Sequence, residues 1–373
     1  MKEGHKGLGV LMDAPDGPNA AIREMLKQGH ERGACDAILV PMKVPTGDSY
    51  MHVLVDDTEM LDMAAPISPV LTVHGAKAVT SITRRGDEGV CIAAVMRPCE
   101  AEAVIELRKL FQVDMEHITI ITMDSPGAVP LQDFARDPEE GERVFEEAMA
   151  NWDDSAMRPI CQTCEKSNSA VGDLHLGLRG VEKGKILLIP QGEKGLEAIA
   201  KLGFTPDHPI DEWKQASDKA MARKRGTRKA LHEDLRKRAN GLGGLLDVLG
   251  ACINCHNCMR VCPICYCKQC KFDSPELRNT SSDYLDRADR AGSLRMPSDM
   301  LLFHMGRMSH MVLSCVSCGA CEDACPTGVP VAQLFSLVAH DAQERFEYMP
   351  GRSSEEKRPL VTFQFEEFSE VED

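Results

Sequence analysis

One cysteine pattern that occurs twice constrains this chain more than any other feature. Residues 252–263 and 315–326 both read C-x2-C-x2-C-x3-C-P. In proteins with two [4Fe–4S] clusters, three cysteines of such a run bind one cluster and the fourth binds the other. The pattern therefore predicts two [4Fe–4S] clusters with crossed ligation. The predicted ligands are Cys252, Cys255, Cys258 and Cys325 for the first cluster, and Cys315, Cys318, Cys321 and Cys262 for the second.

Structural zinc is the alternative use of closely spaced cysteines. Zinc sites normally take paired C-x2-C knuckles. Both runs here instead have three closely spaced cysteines, a fourth further on, and then a proline, Pro263 or Pro326. We therefore interpret both runs as cluster-binding rather than zinc-binding.

The sequence around the two runs is typical of helices. About 50 residues separate the runs, whereas a compact ferredoxin keeps its two runs close together in sequence. Ser274 before Pro275, and Ser298 before an apolar stretch, are signals of helix starts. The apolar residues after Pro330 keep helical spacing. These features predict an α-helical ferredoxin domain over residues 246–350.

Composition limits the class of protein. A chain of 373 residues with 43% hydrophobic residues is long enough for two or three domains. Its 16 cysteines would suggest disulfides in a small secreted protein, but no apolar signal segment follows Met1. The thiols are therefore expected to be metal ligands in a reducing cytoplasm. No apolar run approaches the roughly 20 residues of a membrane helix. The net charge of −15 argues against nucleic acid and anionic membranes as partners.

The first half of the chain alternates helix-like and strand-like segments. This alternation predicts an α/β domain over residues 1–204, built largely on parallel strands. Helical patterns cover residues 20–32 and the segment after Arg97. The predicted strands begin at Ala37, Met51, Gly89 and Ile118.

Two predicted strand-to-helix turns, at residues 73–81 and 96–102, lie where an open α/β sheet usually places its ligand. Each combines a cation, Lys77 or Arg97, with Gly75 or a helix N-terminus, and these features suit a bound phosphate. Neither turn contains a G-x-G-x-x-G or G-K-[ST] signature. Spacing alone therefore favours ordinary turns with solvated side chains.

Four segments together resemble a known family. They are Ala76-Lys-Ala-Val-Thr-Ser, Arg97-Pro-Cys-Glu-Ala-Glu-Ala, Cys161-Gln-Thr-Cys and the doubled cysteine run. On these segments the chain resembles the beta subunits of coenzyme F420-reducing hydrogenases and dehydrogenases. The resemblance covers essentially the whole chain and is greatest to formate dehydrogenase beta subunits.

The resemblance implies a flavin site. In this family the α/β domain binds FAD, which exchanges a hydride with the deazaflavin coenzyme F420 and passes single electrons to iron–sulfur clusters. The flavin contacts carried over by position are Gly75, Lys77, Thr80, Ser81, Arg97 and Pro98. The chain departs from the family where Ala76-Lys77-Ala78 replaces the usual Ser-Lys-Tyr, and where the strand ending at Met123 lacks a terminal cysteine.

The remaining cysteines are numerous enough for a third metal centre. The isolated C-x2-C pair at residues 161–164 cannot hold a metal alone, so other thiols must complete it. Cys265 has no assigned role, and Cys35 and Cys91, in or beside strand patterns, are interpreted as buried apolar side chains. The candidate ligands of the third centre are Cys161, Cys164, Cys99, Cys267 and Cys270.

A charged segment at residues 205–245 separates the two halves. It is rich in Lys and Arg within an acidic chain, and it ends at Gly241-Leu-Gly-Gly. This composition predicts a long exposed helix that acts as a linker. A solvated helix face is the default interpretation, and docking on an acidic partner is the alternative. Residues 351–373 are expected to form an acidic tail that is mobile or lies on a partner.

Two functions are consistent with the sequence. In the first, the chain is the FAD-bearing and iron–sulfur subunit of a formate dehydrogenase or hydrogenase complex, because FAD can convert a two-electron hydride transfer into the one-electron steps of clusters. Nothing in the chain resembles a molybdopterin or nickel site, so formate or hydrogen would react on a separate catalytic subunit. In the second, the chain is an adaptor without its own substrate. It would connect such an enzyme to a heterodisulfide-reductase-type electron-bifurcating complex.

Overall fold

Eight strands form one mixed sheet in the N-terminal part. The computed structural model describes residues 7–86, 88–167 and 169–359; most of the predicted acidic tail, residues 360–373, lies outside the described residues. The strands are β1 (Leu8–Asp13), β2 (Ala37–Lys43), β3 (Tyr50–Val55), β4 (Ile92–Met96), β5 (Ile118–Met123), β6 (Leu174–Gly177), β7 (Lys185–Pro190) and β8 (His208–Pro209).

The order of the strands across the sheet is β3-β2-β4-β5-β6-β7-β1-β8. The central strands β2, β4, β5 and β6 are parallel to one another. The remaining pairs are antiparallel, including the β2–β3 hairpin and the β6–β7 pair. The predicted α/β domain is confirmed, but parallel pairing is confined to its centre. Short connections join β2 to β3 and β6 to β7 antiparallel, and β1 pairs antiparallel with β7 and β8, which are distant in sequence.

Seven helices accompany the sheet in the described residues. They are α1 (Pro18–Glu31), α2 (Gly75–Thr83), α3 (Pro98–Lys109), α4 (Leu131–Arg136), α5 (Pro138–Asn151), α6 (Pro159–Gln162) and α7 (Gly192–Lys201). Helix α3 follows β4 directly, as predicted. The prediction of a strand-to-helix turn at residues 73–81 is wrong, because a 3-10 helix (Thr58–Met63) and an irregular stretch separate β3 from α2.

The rest of the described chain is helical. It contains α8 (Asp211–Arg238), α9 (Gly241–Leu249), α10 (Asn257–Arg260), α11 (Ser281–Ala291), α12 (Met300–Met311), α13 (Ala320–Asp323) and α14 (Val331–Arg345). Ser274 caps only a 3-10 turn, Pro275–Leu277, and α12 begins just after Ser298. Of the helices in the described residues, none is long and apolar enough to cross a membrane.

The two faces of the sheet belong to different cores. Alternation along β2 sends Ile38 and Val40 into one core and Leu39 into the other. The first core lies under α1 and α5. The second core is continuous with the helical part, because Leu39 belongs to the same buried cluster as Phe303 and Phe335. The cysteine-rich region therefore packs directly against the sheet.

Helix α8 differs from the predicted exposed linker, because one of its faces is buried. Lys224 is fully buried on this face; its Nζ lies 3.2 Å from Asp154 Oδ2 and donates to the Cys161 carbonyl at 3.0 Å. Several other cations of α8 pair with acidic residues of this chain: Arg223 with Asp154, Arg225 and Arg228 with Glu165, and Arg236 with Asp341. The prediction of an exposed helix was wrong because the buried face has few apolar residues, and many charged residues lie between them in the sequence.

The contact between α8 and α14 makes stability depend on pH. His232 is buried there, and its Nε2 lies 3.3 Å from Ser336 Oγ. Burial, with neighbouring His340 and arginines, lowers the pKa of His232 to about 4. The unfolded chain therefore takes up this proton at a higher pH than the folded chain does, and stability falls as the pH drops from about 6.5 towards 4. Anaerobic denaturation at pH 7.5 and 5.5 should show this loss, and His232→Gln should reduce it. An equal loss in both proteins would contradict the assignment.

Candidate metal centres

The two cysteine runs fold into loops of the same shape. In each loop the third and fifth residues have left-handed backbone angles: Asn254 and His256 in the first, Ser317 and Gly319 in the second, with φ of 55°, 61°, 54° and 82°. A one-turn helix follows, α10 or α13. Alternating left- and right-handed residues point successive N–H groups into one concavity, a geometry common at iron–sulfur sites. Three of these four residues are not glycine, so the loops hold a conformation that is costly without a ligand.

Each loop faces a cavity that combines three cysteines of its own run with the fourth cysteine of the other run. His304 and Phe303 line the first cavity, and Phe335 and Met311 line the second. The cysteines of the first cavity are Cys252, Cys255, Cys258 and Cys325, and those of the second are Cys262, Cys315, Cys318 and Cys321. This grouping is the one that crossed ligation requires. Within the described ranges, no three His, Cys, Asp or Glu side chains are placed to hold a single metal ion.

Polar groups already point at the sulfur atoms of the first cavity. The Asn254 amide donates to Cys252 Sγ at 3.4 Å, and the Val329 amide donates to Cys325 Sγ at 3.3 Å. His304 Nε2 lies 3.3 Å from Cys252 Sγ. Burial lowers the pKa of His304 to about 4, so its ring is neutral at pH 7 and one nitrogen can donate to a thiolate. Such donors stabilise cluster sulfurs and tune their potential.

Burial disfavours the charged form of most of these thiols in the absence of metal. It raises the pKa of Cys258 to about 11 and raises the pKa of Cys315 and Cys318 above the ordinary cysteine value. Cys262 is the exception, because a hydrogen bond from Cys265 lowers its pKa. Cys265 thus has a contact that its spacing did not predict. Ligands must be deprotonated, so metal uptake at these cavities would release protons.

A third group of thiols lies beside the second cavity. Cys99, Cys161 and Cys164 come together although about 60 residues separate Cys99 from the pair. Burial, followed by the charges of Glu100 and the other two thiols, raises the pKa of Cys99. Cys99 is also close enough to Cys318 in the second cavity to contribute to the raised pKa of Cys318.

Close packing joins this third group to the second cysteine loop. A Cβ atom on Gly319 would lie 2.5 Å from Ile160 Cγ2, so glycine is needed at this position for contact as well as for its backbone angle. Arg158 Nη1 donates to Asp323 Oδ2 at 2.7 Å across the same junction. The thiol group and the second cavity are therefore held at a fixed separation.

The other cysteines lie elsewhere. Cys267 is exposed, and Cys270 Sγ lies 3.6 Å from Met259 Sδ beside the first run. Their membership of a third centre stays a prediction. Cys35 is buried in the core under α1, as predicted, whereas Cys91 is only partly buried where β4 begins.

The predicted flavin positions are engaged with other protein groups. Glu100 is 2% exposed and its carboxylate accepts two amides: Gly75 N–H at 2.6 Å and Arg97 N–H at 3.0 Å. The buried Arg97 guanidinium donates to the Ser68 carbonyl, and Lys77 Nζ donates to the Arg260 carbonyl. The other contacts are within helices: Thr80 Oγ1 and Ser81 Oγ donate to the carbonyls of Ala76 and Lys77 at 2.8 and 2.9 Å, and Pro98 begins α3. A carboxylate thus occupies the amides that were predicted to receive a phosphate.

A larger cavity lies on the other side of this region. Its volume is about 800 Å³, within the range of small-molecule and cofactor sites. Gly17 before α1, Tyr50, Trp152 and Lys183 are among its lining residues, and none of the six predicted flavin positions lines it. Ser68, which accepts from Arg97, lies between two of its lining residues, Ile67 and Pro69.

Comparisons with known proteins agree with these features. Residues 248–329 match the family model of the 4Fe-4S dicluster domain. The F420-dependent formate dehydrogenase subunit beta of Methanocaldococcus jannaschii is 26% identical over 299 residues, covering 70% of this chain and 73% of its own length. The F420-dependent formate dehydrogenase 1 subunit beta of Methanococcus maripaludis is 25% identical over 388 residues, covering 90% and 91%.

A solved structure also resembles this chain. It is a chain of the F420-reducing [NiFe] hydrogenase complex from Methanosarcina barkeri. The matched region covers 65% of the present chain and 97% of the hydrogenase chain, with 14% sequence identity and a TM-score of 0.46. The two curated relatives and the matched domain confirm the resemblance predicted from the sequence: the chain is similar to F420-dependent formate dehydrogenase beta subunits and contains a 4Fe-4S dicluster domain.

Proposed function

We propose that this chain carries electrons between the catalytic subunit of a formate dehydrogenase or hydrogenase complex and a second redox partner, by way of two [4Fe–4S] clusters. The observation that carries the proposal is the pair of cavities, each with three thiols from one cysteine run and one from the other. A [4Fe–4S] cluster exchanges one electron at a time. The loops supply inward N–H groups, and buried apolar side chains such as Phe303 and Phe335 exclude water.

The position of the third thiol group supports an order for the centres. Cys99 neighbours Cys318, so a centre held by Cys99, Cys161 and Cys164 would lie beyond the second cavity. The proposed order is then first cavity, second cavity, third centre. It leads from the helical part of the chain into the α/β domain, towards the wall of the larger cavity.

FAD binding at the six predicted positions has less support. The Gly75 and Arg97 amides are occupied by Glu100, and the hydroxyls of Thr80 and Ser81 bond within their own helix. As placed, these residues do not fit a dinucleotide phosphate. Because relatives are F420-dependent, we propose the 800 Å³ cavity as the place with room for a flavin or deazaflavin.

An adaptor without its own substrate is the second candidate function. The occupied amides favour it, because a chain that binds no flavin would pass electrons only through clusters. Its partner would then be a heterodisulfide-reductase-type complex. Helix α8 gives such docking less support than its sequence suggested, because many of its cations pair with acidic residues of this chain.

Metal and flavin analysis of anaerobically purified protein tests the proposal. Two clusters of four irons give about eight irons per chain, and a third gives about twelve. Zinc in place of iron would contradict both candidate functions. If FAD is present, mixing with reduced coenzyme F420 in a stopped-flow instrument separates them: prompt flavin bleaching supports the flavin-bearing subunit, and inertness supports the adaptor.

Variants at the predicted flavin positions locate any FAD that is found. If Lys77 and Arg97 neutralise its phosphates, Lys77→Ala should weaken FAD retention roughly tenfold or more, since a charge-assisted contact contributes about 1.5–3 kcal/mol. The contacts of these residues within the protein predict instead that flavin occupancy is unchanged in Lys77→Ala. Lys183→Ala, which removes an exposed cation that lines the 800 Å³ cavity, is the matched variant for the second location and should lower flavin occupancy if the flavin binds there.

A further inference from the structure

Helix α12 places one arginine between the two cysteine-lined cavities. Arg307 is 2% exposed, and its guanidinium lies 4.6 Å above the ring of Phe335, which lines the second cavity. Phe303 and His304, about one turn earlier on α12, line the first cavity. A helix brings residues three and four apart onto one face. The side chain of Arg307 is therefore held at the boundary of both cavities.

The guanidinium lacks the partners that a buried cation requires. Among the residues that the structure describes, no nitrogen or oxygen accepts a hydrogen bond from its Nε, Nη1 or Nη2, and its side chain contacts the Cys265 thiol, which is not a predicted cluster ligand. A buried charge without a counter-charge is strongly unfavourable. Arginine also offers five donors in a fixed planar fork and stays charged at any physiological pH. The guanidinium therefore suits anionic acceptors such as cluster-bound thiolates and cluster sulfides, which a bound cluster would supply.

The groups around Arg307 belong to both runs. Its neighbours are the thiols of Cys321, Cys262, Cys258 and Cys265. Cys258 lines the first cavity, and Cys262 and Cys321 line the second. Cys262 belongs to the first run in sequence but lines the cavity of the second run. Arg307 therefore faces sulfur ligands of both predicted clusters at the point where the two runs cross.

We propose that Arg307 is a positioning residue shared by the two clusters, which donates N–H bonds to sulfur atoms on both sides and raises both reduction potentials together. The proposal rests on the proposed function, because it requires that both cavities hold [4Fe–4S] clusters. A reduced cluster carries one more negative charge than the oxidised one, so a fixed cation beside it favours the reduced form. Hydrogen bonds to the sulfurs act in the same direction.

A shared cation has a consequence for electron transfer. Because it acts on both clusters in the same direction, it raises both potentials and changes the difference between them less than a cation beside one cluster would. Two separate cations would tune the clusters independently. Loss of Arg307 should therefore shift both potentials together.

Anaerobic redox titration followed by EPR tests the proposal on the whole protein with its clusters. In Arg307→Met, both midpoint potentials should fall, each by at least a tenfold change in the one-electron reduction equilibrium, which is about 59 mV. Arg307→Lys keeps the charge but loses the fork, and both potentials should fall by less. Arg290→Met is the matched control, because Arg290 is exposed on α11 and lies outside both cysteine runs; the potentials of this variant should be unchanged.

Two results would overturn the proposal: unchanged potentials in Arg307 variants that keep both clusters, or a shift confined to one cluster. If Arg307→Met cannot be purified with its clusters, Arg307→Lys carries the same test because it keeps a cation of similar length. Failure of the proposed function can be told apart from failure of the Arg307 proposal. Wild-type protein that lacks iron or cluster EPR signals would contradict the proposed function before any variant is made.

Discussion

Cys262→Ser is expected to disturb or remove the cluster of the second cysteine run and to leave the cluster of its own run intact. Cys262 lines the cavity of Cys315, Cys318 and Cys321, whereas the cavity of its own run is completed by Cys325. A serine hydroxyl is a far weaker acid than a thiol and a poorer ligand for iron. Iron content should fall from about eight to about four per chain where the second cluster is lost.

EPR of the reduced variants gives the measurement. Cys262→Ser and Cys318→Ser should disturb the same cluster signal, and Cys258→Ser should disturb the other. Metal ligation contributes folding energy directly, so Cys262→Ser should also lower the thermal midpoint of unfolding. Cys91→Ser is the control, because Cys91 lies in the α/β domain away from the cavities and should leave both signals unchanged. If Cys262→Ser and Cys258→Ser disturb one and the same cluster, each run closes on itself and crossed ligation is wrong.

Local sequence patterns predicted the parts of the structure that local forces decide. The spacing of the two runs determines their loops, and the same left-handed positions recur in each, at Asn254 and Ser317 and again two residues later. The predicted strands and the helix after Arg97 also formed, because their apolar spacing and the proline at the first turn of α3 specify them within a few residues. The grouping of three thiols from one run with one thiol from the other was also predictable, because this repeated spacing is typical of two-cluster proteins with crossed ligation.

Other contacts between residues far apart in sequence were not predictable. No sequence pattern indicates that Arg307 is buried, and only the packing of α12 between the cavities shows it. Lys224 looked solvated, yet it is buried against Asp154. The sequence named Cys99, Cys267 and Cys270 equally as partners of the C-x2-C pair, and only the structure shows that Cys99 lies beside the pair whereas Cys267 is exposed and Cys270 lies beside the first run. Each of these outcomes depends on tertiary packing, which overrides the local preference of a charged residue for water.

The sequence around Glu100 indicates one of its two capping roles. Pro98 followed by Glu100 is a helix N-terminal pattern, with the acid placed to cap its own helix. Its Oε2 does accept the Arg97 amide, but its Oε1 reaches across to the Gly75 amide at the start of α2. One carboxylate thus caps two helices. An added Cβ at Gly75 would lie 2.8 Å from His52 Cε1, which shows how tightly this junction is packed.

Glu100→Ala should therefore lower the free energy of unfolding by about 3–5 kcal/mol, the usual cost of removing one partner from a buried charged network. It leaves two buried amides without an acceptor and the buried Arg97 without its nearest carboxylate. Glu100→Gln keeps the size of the side chain and one oxygen acceptor but not the charge, so its loss should be smaller. Anaerobic chemical denaturation of both variants at pH 7 measures the difference.

Glu116→Ala is the control for this prediction, because Glu116 is an exposed acid of the same domain and its loss should change stability by no more than about 0.5 kcal/mol. The variant also bears on the flavin. If a phosphate of FAD occupied the Gly75 and Arg97 amides, Glu100 would not be their acceptor, and Glu100→Ala would leave stability nearly unchanged in the flavin-loaded protein. A large loss in both flavin-loaded and flavin-free protein would instead assign these amides to Glu100 and place any flavin elsewhere.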